Sequence, residues 1–170
     1  MADRDDRTSR GGFTLVEVLV ALSIVGILAM LATGTFQRMM EKYRVEGETK
    51  QIFADLMDAR GRAMQRNRSF FVQITGNGYS THEDTTPAPD GNGTLESTDA
   101  VAASATVRHT ITCDPVGLSV FRFNRNGIPS ATGIIRLSST ARPDYDCITV
   151  RETRIKMGQF NATDNTCAER

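Results

Sequence analysis

From Phe13 to Ala32 the chain is apolar almost without a break, and the run "FTLVEVLVALSIVGILAMLA" holds one charge, Glu17. As a helix this run would be about 30 Å long, enough to cross a hydrocarbon core once. The pattern then changes. Phe36, Met39, Met40 and Tyr43, then Ile52, Phe53, Leu56, Met57, Ala63 and Met64, recur at three- and four-residue intervals. That spacing predicts an amphipathic helix continuing the first. No proline interrupts residues 13–68, so a single helix of about 55 residues is allowed, with Gly26, Gly34, Gly47 and Gly61 as its soft points.

Beyond Asn67 the period falls to two, and "SFFVQIT" places Phe70, Val72 and Ile74 on one face before the turn-like "GNG". The stretch 81–100, rich in Thr, Pro, Gly and Asp, reads as a surface loop with little of its own to bury. Further strands are expected at 104–113, 118–124, 133–139, 147–151 and 153–157, with turn residues between them. The fold expected is α+β. A long N-terminal helix, membrane-spanning in its first half and amphipathic in its second, packs on a C-terminal antiparallel β-sheet or small β-sandwich.

Charge adds orientation. Arg4, Arg7 and Arg10 precede the apolar run, which places the N-terminus in the cytoplasm and the rest outside it. A cleaved secretory signal would want a shorter apolar region and an Ala-x-Ala site, which "ILAMLATGTF" does not supply. Formal charge is zero overall, but residues 69–106 carry 5 acidic and no basic side chains, while 38–68 and 107–170 each have a net charge of +3. Neither excess is that of a dedicated nucleic-acid binder. The cysteines Cys113, Cys147 and Cys167 all follow the span, so one disulfide and one thiol is the simplest count. Spacing leaves the pairing open; Cys147 with Cys167 is preferred because it tethers the C-terminal tail.

Candidate chemistry is sparse. His82 and His109 are the only histidines. No nucleophile lies aligned with a base and no Gly-rich phosphate loop follows a strand, so no enzyme activity, catalytic residue, metal site or cofactor is expected. Asp84, Asp90, Asn92, Glu96 and Asp99 offer oxygen ligands, but their spacing is not that of an EF-hand and reads as a solvated acidic loop. His109 is expected in a strand, semi-buried beside Val107 and Ile111. Arg151, Arg154 and Lys156 lie close together, and in a strand Arg154 and Lys156 would share one face, with Ile155 and Met157 inward. Such a pair can contact successive phosphates of DNA or simply form a solvated face. Glu17 stands out, because a carboxylate at bilayer depth costs roughly 2.5–3.5 kcal/mol. A shallow seat at the interface would relieve it, and so would an opposite charge in a helix bundle.

The stretch "RGGFTLVEVLVALSIVGILAMLA" resembles the N-terminus of type IV pilins and pseudopilins. "FRFNRNGIPSATGIIRLSS" followed by "CITVRETRIKMG" is similar to the closing strands of GspH/FimT-type minor pilins, although Thr153-Arg154-Ile155-Lys156 stands where those often have Gly-Arg-Val-Arg. The resemblance implies a leader, residues 1–12, removed by a prepilin peptidase after Gly12, with N-methylation of the new first residue Phe13. It implies an assembly helix over 13–35, an amphipathic helix over 36–68 and a β-rich head over 69–170. Glu17 would pair with the first residue of a neighbouring subunit. The implied partners are the prepilin peptidase, other major and minor pilins or pseudopilins, and an inner-membrane assembly platform. The implied location is the bacterial inner membrane, single-pass with a periplasmic head, and then a type IV pilus or type II secretion pseudopilus, where a minor subunit primes or caps the fibre. Certain FimT-type relatives are DNA-uptake receptors, so the alternative is DNA binding through Arg151, Arg154 and Lys156.

Overall fold

The first helical turn follows from Thr14-Leu15-Val16-Glu17, a Ser/Thr-x-x-Glu sequence of the capping-box kind. In the computed structural model, which describes residues 12–170 without the side chains of residues 31–33 and 35, the Glu17 N–H donates to Thr14 Oγ1 at 3.2 Å. Helix α1 runs Leu15–Arg66. It stops where Asn67 turns left-handed at φ 52° and the Arg68 N–H donates to Ala63 O at 3.2 Å. This six-to-one bond across a left-handed residue is a Schellman-type end. The leader, residues 1–11, lies outside the described residues.

The chain divides into two units, residues 1–38 and 39–170. In the first, every described side chain from Phe13 to Met30 is exposed. Among the described residues no helix is long and apolar enough to cross a membrane, and the span predicted over 13–35 includes four positions whose side chains lie outside that description.

The second unit holds the rest of α1 and nine antiparallel strands. One sheet has the order β3-β2-β1-β5, with β1 Phe70–Thr75, β2 Gly78–Glu83, β3 Ala100–Thr106 and β5 Val120–Phe123. The other has the order β4-β6-β7-β8-β9, with β4 Ile111–Asp114, β6 Gly133–Leu137, β7 Cys147–Val150, β8 Ile155–Asn161 and β9 Thr166–Glu169. Alternation supplies the inward residues: Phe70, Val72 and Ile74 of β1, Ile135 and Leu137 of β6, Ile148 and Val150 of β7. These meet Val45, Ile52, Leu56, Ala59 and Ala63 of α1 in one core. The buried helical stripe is narrower than the periodicity suggests, because Met39, Met40, Tyr43, Met57 and Met64 sit on its flanks and are exposed.

Three expectations change. The strand expected over 104–113 breaks at residues 107–110, where the chain passes from one sheet to the other, so His109 lies in a turn. The connection expected over 81–100 loses Thr81–Glu83 to β2 and Ala100 to β3. What remains has buried anchors after all: Asp84 Oδ1 and Oδ2 accept the N–H groups of Asn92 and Gly93, and Asp99 accepts those of Thr85, Thr86 and Glu96. Gly91 is required there, since at φ 74° a Cβ would lie 1.9 Å from Asp84 Oδ1. Finally, the strand expected over 153–157 begins only at Ile155, which leaves Arg154 in the β7–β8 turn closed by the Arg151 N–H on Arg154 O, and β8 runs on to Asn161 and pairs with a C-terminal strand, β9.

Candidate functional site

Gly12 and Phe13 precede α1, and both are exposed. Phe13 is 82% exposed and a Cβ at Gly12 would meet nothing within 4 Å. Both residues that flank the bond on which processing is expected are therefore exposed. Glu17 is exposed one turn in, where a carboxylate is favoured by the helix dipole and by its place in the capping box. This local role was readable in the sequence as Thr14-x-x-Glu17.

On the head, Arg151, Arg154 and Lys156 are brought together at one end of β8, but around a common counter-charge. Glu169 of β9 lies 3.6 Å from Arg151 Nε, 3.2 Å from Arg154 Nη2 and 3.4 Å from Lys156 Nζ. Ile155 is buried and Met157 half-buried, as the alternation requires, while the three cations remain about half exposed. Nothing in the sequence marks Glu169, because β9 carries no apolar run to announce a strand. Cys147 and Cys167 form a disulfide that links β7 to β9. Cys147 faces Gly158 and Cys167 faces Phe160 on the intervening β8, so the bridge spans that strand. Cys113 is the free thiol, and burial pushes it up to about 11, which leaves it little thiolate character.

A paired electrostatic contact ties the sheet-to-sheet turn to α1. His109 Nδ1 lies 2.6 Å from Glu48 Oε2 and Nε2 lies 2.6 Å from Glu41 Oε1. The N–H groups of Arg108 and His109 also donate to the Glu48 carboxylate. Burial alone would lower the His109 pKa, but hydrogen bonds to Glu41 and Glu48 outweigh it and hold it above the usual imidazole value. With a carboxylate on each nitrogen, the imidazolium is the form that fits. Asp84, Glu96 and Asp99 bring carboxylate oxygens within 4.8 Å of one another. Burial would raise the Asp99 pKa, yet its N–H donors from Glu96, Thr85 and Thr86 hold it below the usual carboxylate range. Backbone N–H groups thus already occupy Asp84 and Asp99, while Glu96 takes side-chain donors, from Asn92 and Thr94.

The chain thus carries a capped helix that starts within Gly-Phe-Thr-Leu-x-Glu and an antiparallel two-sheet head. Residues 7–33 match the prokaryotic N-terminal methylation motif, and residues 48–153 match the family described as type II transport protein GspH. The second match spans more than half of the chain, which therefore belongs to the GspH family of minor pilins and pseudopilins. Its fold is similar to that of the type IV minor pilin FimU of Pseudomonas aeruginosa, with a TM-score of 0.53 at 16% identity over 70% of this chain and 91% of that one. It is also similar to the minor pseudopilin EpsH of the Vibrio cholerae type 2 secretion system, with a TM-score of 0.50 at 10% identity over 68% and 97%. At such identities the likeness concerns the fold. No curated protein matches the chain in sequence.

Proposed function

We propose that this chain is a minor subunit of a type IV pilus or type II secretion pseudopilus, cut after Gly12 by a prepilin peptidase and N-methylated on Phe13. The observation that carries the reading is the presence, in one chain, of the methylation motif over 7–33 and a GspH domain over 48–153. Residues 13–35 hold the subunit in the inner membrane, with its head on the periplasmic side, until an assembly platform extracts it. Residues 36–68 join that anchor to the 69–170 head. The apolar Leu15–Met30 stretch with its single carboxylate supports storage in lipid followed by packing among sister helices. Cleavage frees an amine on Phe13, and in the fibre Glu17 pairs with that amine on a neighbouring subunit, because an opposite charge is the least costly companion for a buried carboxylate. Priming or capping follows from minor-subunit status.

Mass spectrometry of the processed protein tests this directly, with an N-methylated Phe13 start expected. An intact leader in cells containing the peptidase would overturn the reading. Glu17→Ala should enter the membrane at least as well as the parent and yet be missing from sheared fibres; normal incorporation would remove Glu17 from its role.

A second reading, DNA capture by the head, draws on the convergence of Arg151, Arg154 and Lys156 at one exposed end of β8. Glu169 offsets one of the three charges, which ranks it second. Arg154→Ala with Lys156→Ala should abolish any salt-dependent DNA shift if this strand is the contact; an unchanged shift would exclude it.

A further inference from the structure

The second sheet carries a groove outside the segments that the proposed processing and helix packing involve. This open groove has a volume of about 770 Å³, within the range of small-molecule sites. Arg136 of β6, Ser139, Thr140 and Arg142 of the β6–β7 connection, and Phe160 and Thr163 line it.

Arg136 is built into this groove. Its guanidinium carbon lies 4.0 Å from the Phe160 ring centroid, close enough for the ring to hold the cation in place. Its Nε is buried and has no hydrogen-bond partner among the described residues. Neither its guanidinium nor that of Arg142 has a hydrogen bond or salt bridge there. Asp146 also lines the groove, but its Oδ1 accepts the Phe160 N–H at 2.6 Å. Burial pushes its carboxyl up, against the pull of that N–H and of Arg136. Arg142 is held at φ 47°, a conformation that side-chain-bearing residues seldom adopt.

A buried donor without an acceptor is costly, and a planar guanidinium already immobilised loses little freedom when it binds. Carboxylate and phosphate present the acceptor geometry that matches its fork. Hydroxyl groups from Ser139, Thr140 and Thr163 suit a polyhydroxylated frame. We propose that this groove binds a small anionic sugar, a carboxylate or phosphate carried on a hydroxyl-bearing ring, with Arg136 and Arg142 on the charge and the three hydroxyl residues on the ring. The site is separate from the Arg151, Arg154 and Lys156 cluster, whose charges meet Glu169, and it does not depend on the fibre reading.

The test is a nitrogen-15 NMR titration of the full chain in detergent micelles with glucuronate, inorganic phosphate and glucose. Glucuronate should shift the Arg136 Nε–H signal and the amides of residues 139–142 and 160–163. Phosphate should shift the Arg136 signal more weakly, and glucose should shift neither set. Arg142→Gln alters an exposed loop position, so the fold is kept, and binding should weaken about tenfold or more; Arg136→Gln should abolish it. The proposal is overturned by any of three results: neither anion moves the Arg136 signal, the shifts survive in both variants, or glucose moves the same signals as glucuronate. Phosphate binding more tightly than glucuronate would assign the acid as a sugar phosphate.

Discussion

At the scale of single residues, two side chains behave differently from what their neighbours in sequence imply. Glu17 is both a prospective charge partner and the fourth residue, at N3, of a capping box, and only the second role acts within the free chain. Thr14→Ala should therefore loosen the first turn of α1, costing about 1 kcal/mol, read as faster amide exchange at residues 15–18. His109 is a latch rather than a strand residue. Its pKa is raised in the folded chain, so its contribution to stability is fully present below the unfolded value, about 6.5, and is lost as pH rises through the folded value. Denaturant titrations of the parent should show stability falling from pH 6 to pH 9, with a flatter profile for His109→Gln and a loss of about 1–3 kcal/mol at pH 6. An identical pH slope in both would show that the latch does not titrate. Thr14-x-x-Glu17 can be read directly from sequence. The latch cannot, because Glu41 and Glu48 stand 68 and 61 residues from His109 and nothing local records the meeting.

Among the elements, α1 and most strands were legible because their apolar positions recur at the period of the structure they form. The long helix expected over 13–68 is Leu15–Arg66, and the run after Asn67 is β1. β9 was not legible. Its four residues, Thr166–Glu169, are too short and polar to declare themselves, and β8 creates the strand by pairing with it. That pairing is close: a Cβ at Gly158 would lie 2.1 Å from Ala168 O. Gly158→Ala should separate β9 from β8, measured as lost exchange protection at residues 167–169. The disulfide holds the same strand a second way, by reaching across β8 to β7. With the cysteines 20 positions apart, Cys167→Ser should cost roughly 3 kcal/mol in chemical denaturation. A loss under about 0.5 kcal/mol would mean that pairing alone retains β9.

For the molecule as a whole, the core among the described residues is made from residues at or beyond Val45. The unit 39–170 should accordingly unfold cooperatively without residues 1–38, with a sharp near-ultraviolet transition; a broad one would place part of the core's support upstream. Local pattern along the chain was enough to establish the long helix, the change to strands at Asn67, and the Gly12, Phe13 and Glu17 motif, because each depends on residues within a few positions of one another. The partition into two sheets, the Glu169 counter-charge, the His109 latch and the Arg136 groove were settled by folding. Each joins side chains that are far apart in sequence, and their electrostatics depend on burial and distances that exist only once α1 and both sheets have closed on the common core.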